Sequence, residues 1–192
     1  MLKRVIPFAH ELIQKATKPG EIVVDATCGN GHDTIVLCKA TGPNGKVYAF
    51  DVQKAAIENT QALLDANNIT HAELIHDSHH HVDRYLKEEQ DLLAGAIFNL
   101  GYLPGSNKSV ITKPEYTLEA INKMLALLKV GGVIVCVVYY GHPGGQEEKD
   151  ALINKLGQLN QKKYQVLQYG FINQRNHPPF IIAIEKKNDK LL

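Results

Sequence analysis

The sequence predicts an α/β fold, a three-layer sandwich of helices around a mostly parallel sheet, and three observations carry that reading. Short apolar runs such as Ile22-Val23-Val24, Ala94 to Leu100 and Val133 to Val138 alternate with stripes of helical period, the pattern of repeated βα units. The first run ends in Asp25 and passes through Cys28-Gly29-Asn30-Gly31, a tight glycine turn, into a helix beginning at His32. The last two strand-like runs, Gln165 to Phe171 and Phe180 to Glu185, are joined only by Ile172 to Pro179. A parallel crossover needs about a dozen residues, so these two are expected to pair antiparallel. The chain has 192 residues, 44% of them hydrophobic, which suffices for one such domain over residues 1–192 and leaves no room for a second.

Each element follows from local pattern. Val5, Phe8, Ala9, Leu12, Ile13 and Ala16 recur at helical spacing, predicting an N-terminal helix over 4–17, packed on the core and ended by Lys18-Pro19-Gly20. Helix His32 to Ala40 follows the glycine turn, and Thr41-Gly42-Pro43-Asn44-Gly45 turns the chain into the second strand, Lys46 to Asp51. Ala56, Ile57, Thr60, Leu63 and Leu64 mark the next helix face, Ala72 to His76 the third strand, and His76 to His81 a loop. The fourth strand, Ala94 to Leu100, runs into Gly101-Tyr102-Leu103-Pro104-Gly105 and a loop carrying Lys108 and Lys113. A helix with Leu118, Ile121, Met124, Leu125 and Leu128 on one face is expected to close at Gly131-Gly132, before the most continuous apolar strand, Val133 to Val138. Beyond Tyr139-Tyr140-Gly141-His142-Pro143-Gly144-Gly145 lies a helix with Leu152, Ile153, Leu156 and Leu159.

The glycine turn carries the first chemical signal. Its spacing, Asp25-x-x-x-Gly29-x-Gly31, lacks the third glycine of a dinucleotide fingerprint: Thr34 stands there, preceded by Asp33. An acid at a helix start repels a phosphate but can pair with the ammonium group of a nucleoside-amino acid such as S-adenosylmethionine. Asp51 ends the second strand 22 residues after Gly29, where this kind of fold grips ribose hydroxyls. Together these resemble motifs I and II of the class I methyltransferases, a Rossmann-like fold. Asn99-Leu100-Gly101-Tyr102 keeps the outer residues of the Asn-Pro-Pro-Tyr signature of amino methyltransferases and replaces both prolines. An amide oxygen accepts the N–H of a target amine, and a tyrosine ring stacks on a planar base.

Read in succession, VDATCGNGHDT, YAFDVQ, HDSHH, FNLGYLPG, VVYYGHPGG and YGFINQRNHPPFIIAIEKK resemble a bacterial family labelled as rRNA methylases, whose Gram-positive members act as tRNA 5-aminomethyl-2-thiouridine methyltransferases. The resemblance implies a seven-stranded, mostly parallel sheet with an antiparallel last strand. It also implies an N-methyltransferase that uses S-adenosyl-L-methionine on the aminomethyl nitrogen of wobble uridine 34, with the tRNA anticodon stem-loop as partner. Carried over residue by residue, Asp25, Asn30, Gly31 and Asp33 belong to the glycine turn, with Asn30 and Asp33 at the methionine end of the cofactor. Asp51 and Gln53 fall at the ribose, and Ser78 and His79 at the adenine loop. Asn99 and Tyr102 match the strand-four motif, and Tyr139, His142 and Arg175 the substrate-facing blocks. Position 140 is Tyr where the family pattern has His, so no role is assigned to Tyr140.

Composition narrows the alternatives. With 21 Lys and Arg against 20 Asp and Glu, the net charge is +1, so RNA contacts must come from a local patch. Cys28, Cys38 and Cys136 show neither disulfide nor zinc spacing, and no apolar run approaches the length of a membrane span, which suits a cytoplasmic protein without membrane or DNA partners. His79-His80-His81 point in different directions and suit no metal, so none is expected. A methyltransferase of rRNA or of a small-molecule amine, a nicotinamide oxidoreductase, and a non-catalytic S-adenosylmethionine-binding module stay open at this stage, as does a homodimer.

Overall fold

A computed structural model describes residues 1–86, 93–101 and 113–187. In chain order these form α1 (Val5–Ala16), β1 (Ile22–Asp25), α2 (His32–Thr41), β2 (Lys46–Asp51), α3 (Lys54–Ala66), β3 (Ala72–His76), a 3-10 helix (His79–Arg84), β4 (Leu93–Leu100), α4 (Pro114–Leu127), β5 (Leu128–Val138), α5 (Gly145–Leu156), β6 (Tyr164–Tyr169) and β7 (Phe180–Lys186). One seven-stranded sheet has the order β3-β2-β1-β4-β5-β7-β6. The pairings from β3 through β5 are parallel, and β7 lies antiparallel between β5 and β6, so the expected reversal of the last strand is present.

Each sheet face carries its own core. On one side Phe50, Phe98, Leu100 and Ile134 of the sheet pack with Ile121 and Met124 of α4 and Leu152 of α5; on the other Ile97, Val135 and Ile181 pack with Ala9 and Ile13 of α1 and Leu37 of α2. Strands buried on both faces need near-continuous apolar runs, which is why β4 and β5 were so legible. Gly95 permits the closest approach: a Cβ there would collide with Ile13 of α1 and stand 2.7 Å from the Val133 carbonyl oxygen.

Two elements differ from expectation. Gly131-Gly132 does not close α4, which ends at Leu127; the pair sits inside β5, where the register jumps from Leu93 opposite Leu128 to Gly95 opposite Val133, and Gly131 takes φ +76° in that bulge. The histidine segment is not an open loop but begins the 3-10 helix, because Asp77 accepts from the Ser78 amide at 2.7 Å, the His81 ring at 2.8 Å and the Tyr85 hydroxyl at 3.0 Å. Among the described residues no helix is long and apolar enough to cross a membrane.

Candidate active site

The strand order reverses between β1 and β4, and at such a switch point the carboxyl ends of parallel strands open a crevice. Asp25, Asp51, Asn99 and Tyr139 all stand at or just beyond those ends. The β1 side is fastened through the backbone. The Cys28 amide donates to the Phe50 carbonyl at 2.8 Å, the Gly29 amide to Asp51 Oδ2 at 3.0 Å, and the Gln53 amide to Asp51 Oδ1 at 2.9 Å. Asp51 thus ties the glycine turn to the loop after β2. Burial raises its pKa, and the hydrogen bonds from Gln53 and Gly29 pull it back. Gly31 holds φ +84° with a Cβ position 3.1 Å from Thr60 Cα, so a side chain there is strained twice over. Thr60 in turn donates to the Gly29 carbonyl at 3.1 Å, and the Asn30 amide oxygen accepts from Asn59 at 3.1 Å.

Asp25 lies wholly beneath this turn. Thr34 Oγ1 donates to it at 2.6 Å and the Thr27 amide at 3.2 Å. Burial first, and then the nearby charges of Asp33 and Asp51, push its carboxyl above the ordinary range. Its contribution is to the shape of the turn.

On the β3 side, His79 is buried with its Nδ1 2.9 Å from the Ala26 carbonyl oxygen and its ring edge-on to Phe98. A carbonyl only accepts, so Nδ1 carries the hydrogen and Nε2 keeps a lone pair; that Nε2 is a buried polar atom without a partner among the described residues. Burial drives the imidazole down to about 4, so it stays neutral. Ser78 Oγ meets His80 Nδ1 at 2.7 Å and His81 turns to Asp77; the His80 and His81 ring centroids lie 3.8 Å apart, while His79 alone turns into the core.

Across the switch point, side chains meet side chains. Asn99 anchors its backbone amide on Thr27 Oγ1 at 2.7 Å and extends Nδ2 to Asp33 Oδ2 at 3.2 Å. The other oxygen of Asp33 meets His10 Nε2, from α1, at 2.6 Å. Tyr139 stands nearby, packed on Gly101; burial, and secondarily the Asp33 charge, raise its phenol pKa. Beyond it, His142 places Nε2 2.8 Å from the Tyr139 carbonyl oxygen and Nδ1 3.0 Å from that of Pro143. Both ring nitrogens therefore face the turn's own acceptors. The turn packs on the β6–β7 connection, with Tyr140 edge-on to His177, and Arg175 is exposed on that connection. Tyr102 and Lys108 lie outside the described residues.

Residues 47–185 match the model of a protein family described as "Putative rRNA methylase". The chain belongs to this family. Relatives agree along nearly the whole length. The methylase is 35% identical to the chloroplastic tRNA (mnm5s2U34)-methyltransferase of Arabidopsis thaliana, over 97% of this chain and 71% of that one. It superimposes on the crystal structure of a "putative rRNA-methylase" from Clostridium thermocellum with a TM-score of 0.93, at 42% identity over 97% of this chain and 99% of that one. A "putative methyltransferase" from Streptococcus mutans in complex with SAH gives a TM-score of 0.88, also at 42% identity and with the same coverage. The chain is thus an S-adenosylmethionine-dependent methyltransferase of the Rossmann-like class.

Within the methylase, the residues singled out from sequence form two groups. Asn30, Gly31, Asp33, Asp51 and Gln53 surround the glycine turn, with Ser78 and His79 flanking it; Asn99 and Tyr139 gather across the crevice, while His142 and Arg175 stand farther out on exposed loops. Sequence reasoning missed His10, Thr27, Thr34 and Thr60. The threonines are turn-holding hydroxyls without a motif of their own, and His10 sits on a helix whose apolar stripe explained it as a docking element.

Proposed function

We propose that the methylase transfers a methyl group from S-adenosylmethionine to the aminomethyl nitrogen of 5-aminomethyl-2-thiouridine at position 34 of tRNA, in the cytoplasm. The observation that carries the reading is the Asn99 to Asp33 contact, which sets a strand-four amide, its oxygen without a partner among the described residues, against the carboxylate of the donor-side turn. The Arabidopsis relative's activity on tRNA, as its name gives it, supports the substrate.

The residues present fit the donor. Asp51 and Gln53 suit ribose hydroxyls, Asn30, Gly31 and Asp33 the methionine end, and Ser78 and His79 the adenine side. S-adenosylmethionine, when bound, supplies an electrophilic methyl group on a positively charged sulfur, which also disfavours a protonated amine beside it. Asn99 Oδ1 accepts an N–H of the target amine and orients its lone pair, and Tyr139 offers a ring face to the base. An alkylammonium has a reference pKa near ~10.4, so the neutral form must be favoured by the site. Desolvation in the crevice and the positive charge of the donor's sulfur do this, while the His142 ring lies against the Tyr139 and Pro143 carbonyl oxygens of its own turn. Lys113 and Arg175 provide positive charge for the anticodon stem-loop.

Nucleoside mass spectrometry of RNA from a strain lacking the gene tests this. The expected result is loss of 5-methylaminomethyl-2-thiouridine from tRNA with accumulation of its aminomethyl precursor, restored by the purified enzyme and S-adenosylmethionine. Unchanged tRNA together with a missing methyl group in rRNA would instead support the substrate in the family's description.

A further inference from the structure

His10 stands off the apolar stripe of α1, yet α1 brings it to the crevice. Ala9 and Ile13 on either side are fully buried, with Ile13 seated over Gly95, so the helix cannot roll without clashing. Its ring ends 2.6 Å from Asp33 Oδ1, and Asp33 Oδ2 is 3.2 Å from Asn99 Nδ2. Asp33 itself is only 8% exposed. An ionised carboxylate has acceptors alone, so both neighbours must donate: His10 through an Nε2 hydrogen, Asn99 through its amide hydrogens. A flipped Asn99 would set oxygen against oxygen at that distance. Asn99 Oδ1 is consequently the amide atom left over, and it has no partner among the described residues.

We propose that His10 is a positioning residue of the methyl-transfer site: by holding Asp33 from the far side, it fixes the Asn99 amide so that Oδ1 alone faces the acceptor amine. Without that hold, Asp33 can swing away and the amide can rotate to offer Nδ2, a donor that repels the N–H of an amine. The inference rests on the proposed function for what meets Oδ1; the amide lock itself does not depend on the identity of the substrate. The groups facing Asp33 are His10 from α1, Asn99 from β4, Tyr139 after β5 and, beneath it, Asp25.

The test compares wild type, His10→Ala, His10→Gln, Asn99→Ala and the double variant His10→Ala/Asn99→Ala. In the isotope-labelled protein saturated with S-adenosylhomocysteine, the Asn99 side-chain amide pair is assigned by its absence from Asn99→Ala. It should shift or broaden in His10→Ala and return toward the wild-type position in His10→Gln, whose amide nitrogen replaces Nε2. In single-turnover methylation of tRNA carrying the aminomethyl nucleoside, at saturating donor, His10→Ala should lower the rate about tenfold, with any loss of donor affinity through Asp33 smaller than the loss of rate, and His10→Gln should recover most of it. In the Asn99→Ala background, His10→Ala should cost nothing further, since the two act as one unit. Additive losses, an unmoved amide signal, or a fall in donor affinity matching the fall in rate would each overturn the proposal. Failure of wild type to methylate that tRNA would overturn the substrate reading instead, and the amide signal would still decide the lock.

Discussion

In the half of the crevice at the ends of β1 and β2 side chains mainly grip peptide groups, whereas in the half where α1, the start of α2 and β4 meet, side chains grip side chains. Asp51 grips two peptide N–H groups, and the turn around it is further held by Thr60 and by the buried Asp25. Across the crevice, His10, Asp33 and Asn99 touch only through their termini, and the outer turn closes on His142. Peptide groups cannot rotate away from a carboxylate without moving the chain, while a side-chain junction can be remade by one rotamer change. The first half therefore suits a constant donor and the second an exchangeable acceptor.

The largest expected way to break the donor half is acid. His79 is held at about 4 against an ordinary 6.5, so the unfolded chain binds its proton more readily. The stabilisation is fully present above pH 6.5 and is lost as pH falls toward 4, amounting to about 3 kcal/mol. Asp25 and Asp51, both raised, contribute slopes of opposite sign, so the informative quantity is a difference. Denaturant unfolding of His79→Asn, which keeps a donor to Ala26, should show a flatter pH dependence than wild type across that window. Next comes Asp51→Ala, which strands two peptide N–H groups and removes the ribose acceptor. Calorimetry should register a loss of donor affinity of roughly a hundredfold, with a lowered Tm.

The acceptor half should respond differently. Asn99→Ala is expected to lower kcat roughly thirtyfold while donor affinity changes by less than about twofold, a split visible by combining turnover with calorimetry. An equal loss in both would erase the division between the halves. The smallest effect belongs to Arg175→Ala on the exposed connection. It should weaken tRNA binding severalfold and flatten the salt dependence by about one unit, leaving donor affinity untouched; binding measured across a salt series decides it.

The difference between the halves also governed what the sequence could reveal. Glycines, a strand-ending acid and its position 22 residues on are signals of backbone geometry, and Gly31 and Asp51 stand where that spacing places them. β4 and β5 announced themselves because burial on both faces demands continuous apolar runs. His10 meets Asp33 across 23 residues and Asn99 meets it across 66, and no local pattern encodes such meetings. The Gly131-Gly132 bulge escaped notice because a positive φ ends a helix and kinks a strand with the same residue. The 3-10 turn at His79 was hidden because Asp77, whose carboxylate gathers Ser78, His81 and Tyr85, also reads as a loop acid.

The far end of α1 adds a matter of timing. The Tyr169 hydroxyl donates to the Lys3 carbonyl at 2.7 Å, a contact spanning 166 residues, and Phe8 rests on the Tyr169 ring. On a ribosome moving at about 5 to 20 residues per second, α1 emerges roughly 8 to 30 s before the partner that pins it. The glycine turn, β2 and α3 lie close together in the chain and need no such wait. His10 is thus secured at the crevice only after the chain has been made through β6, and methyl transfer matures late in synthesis.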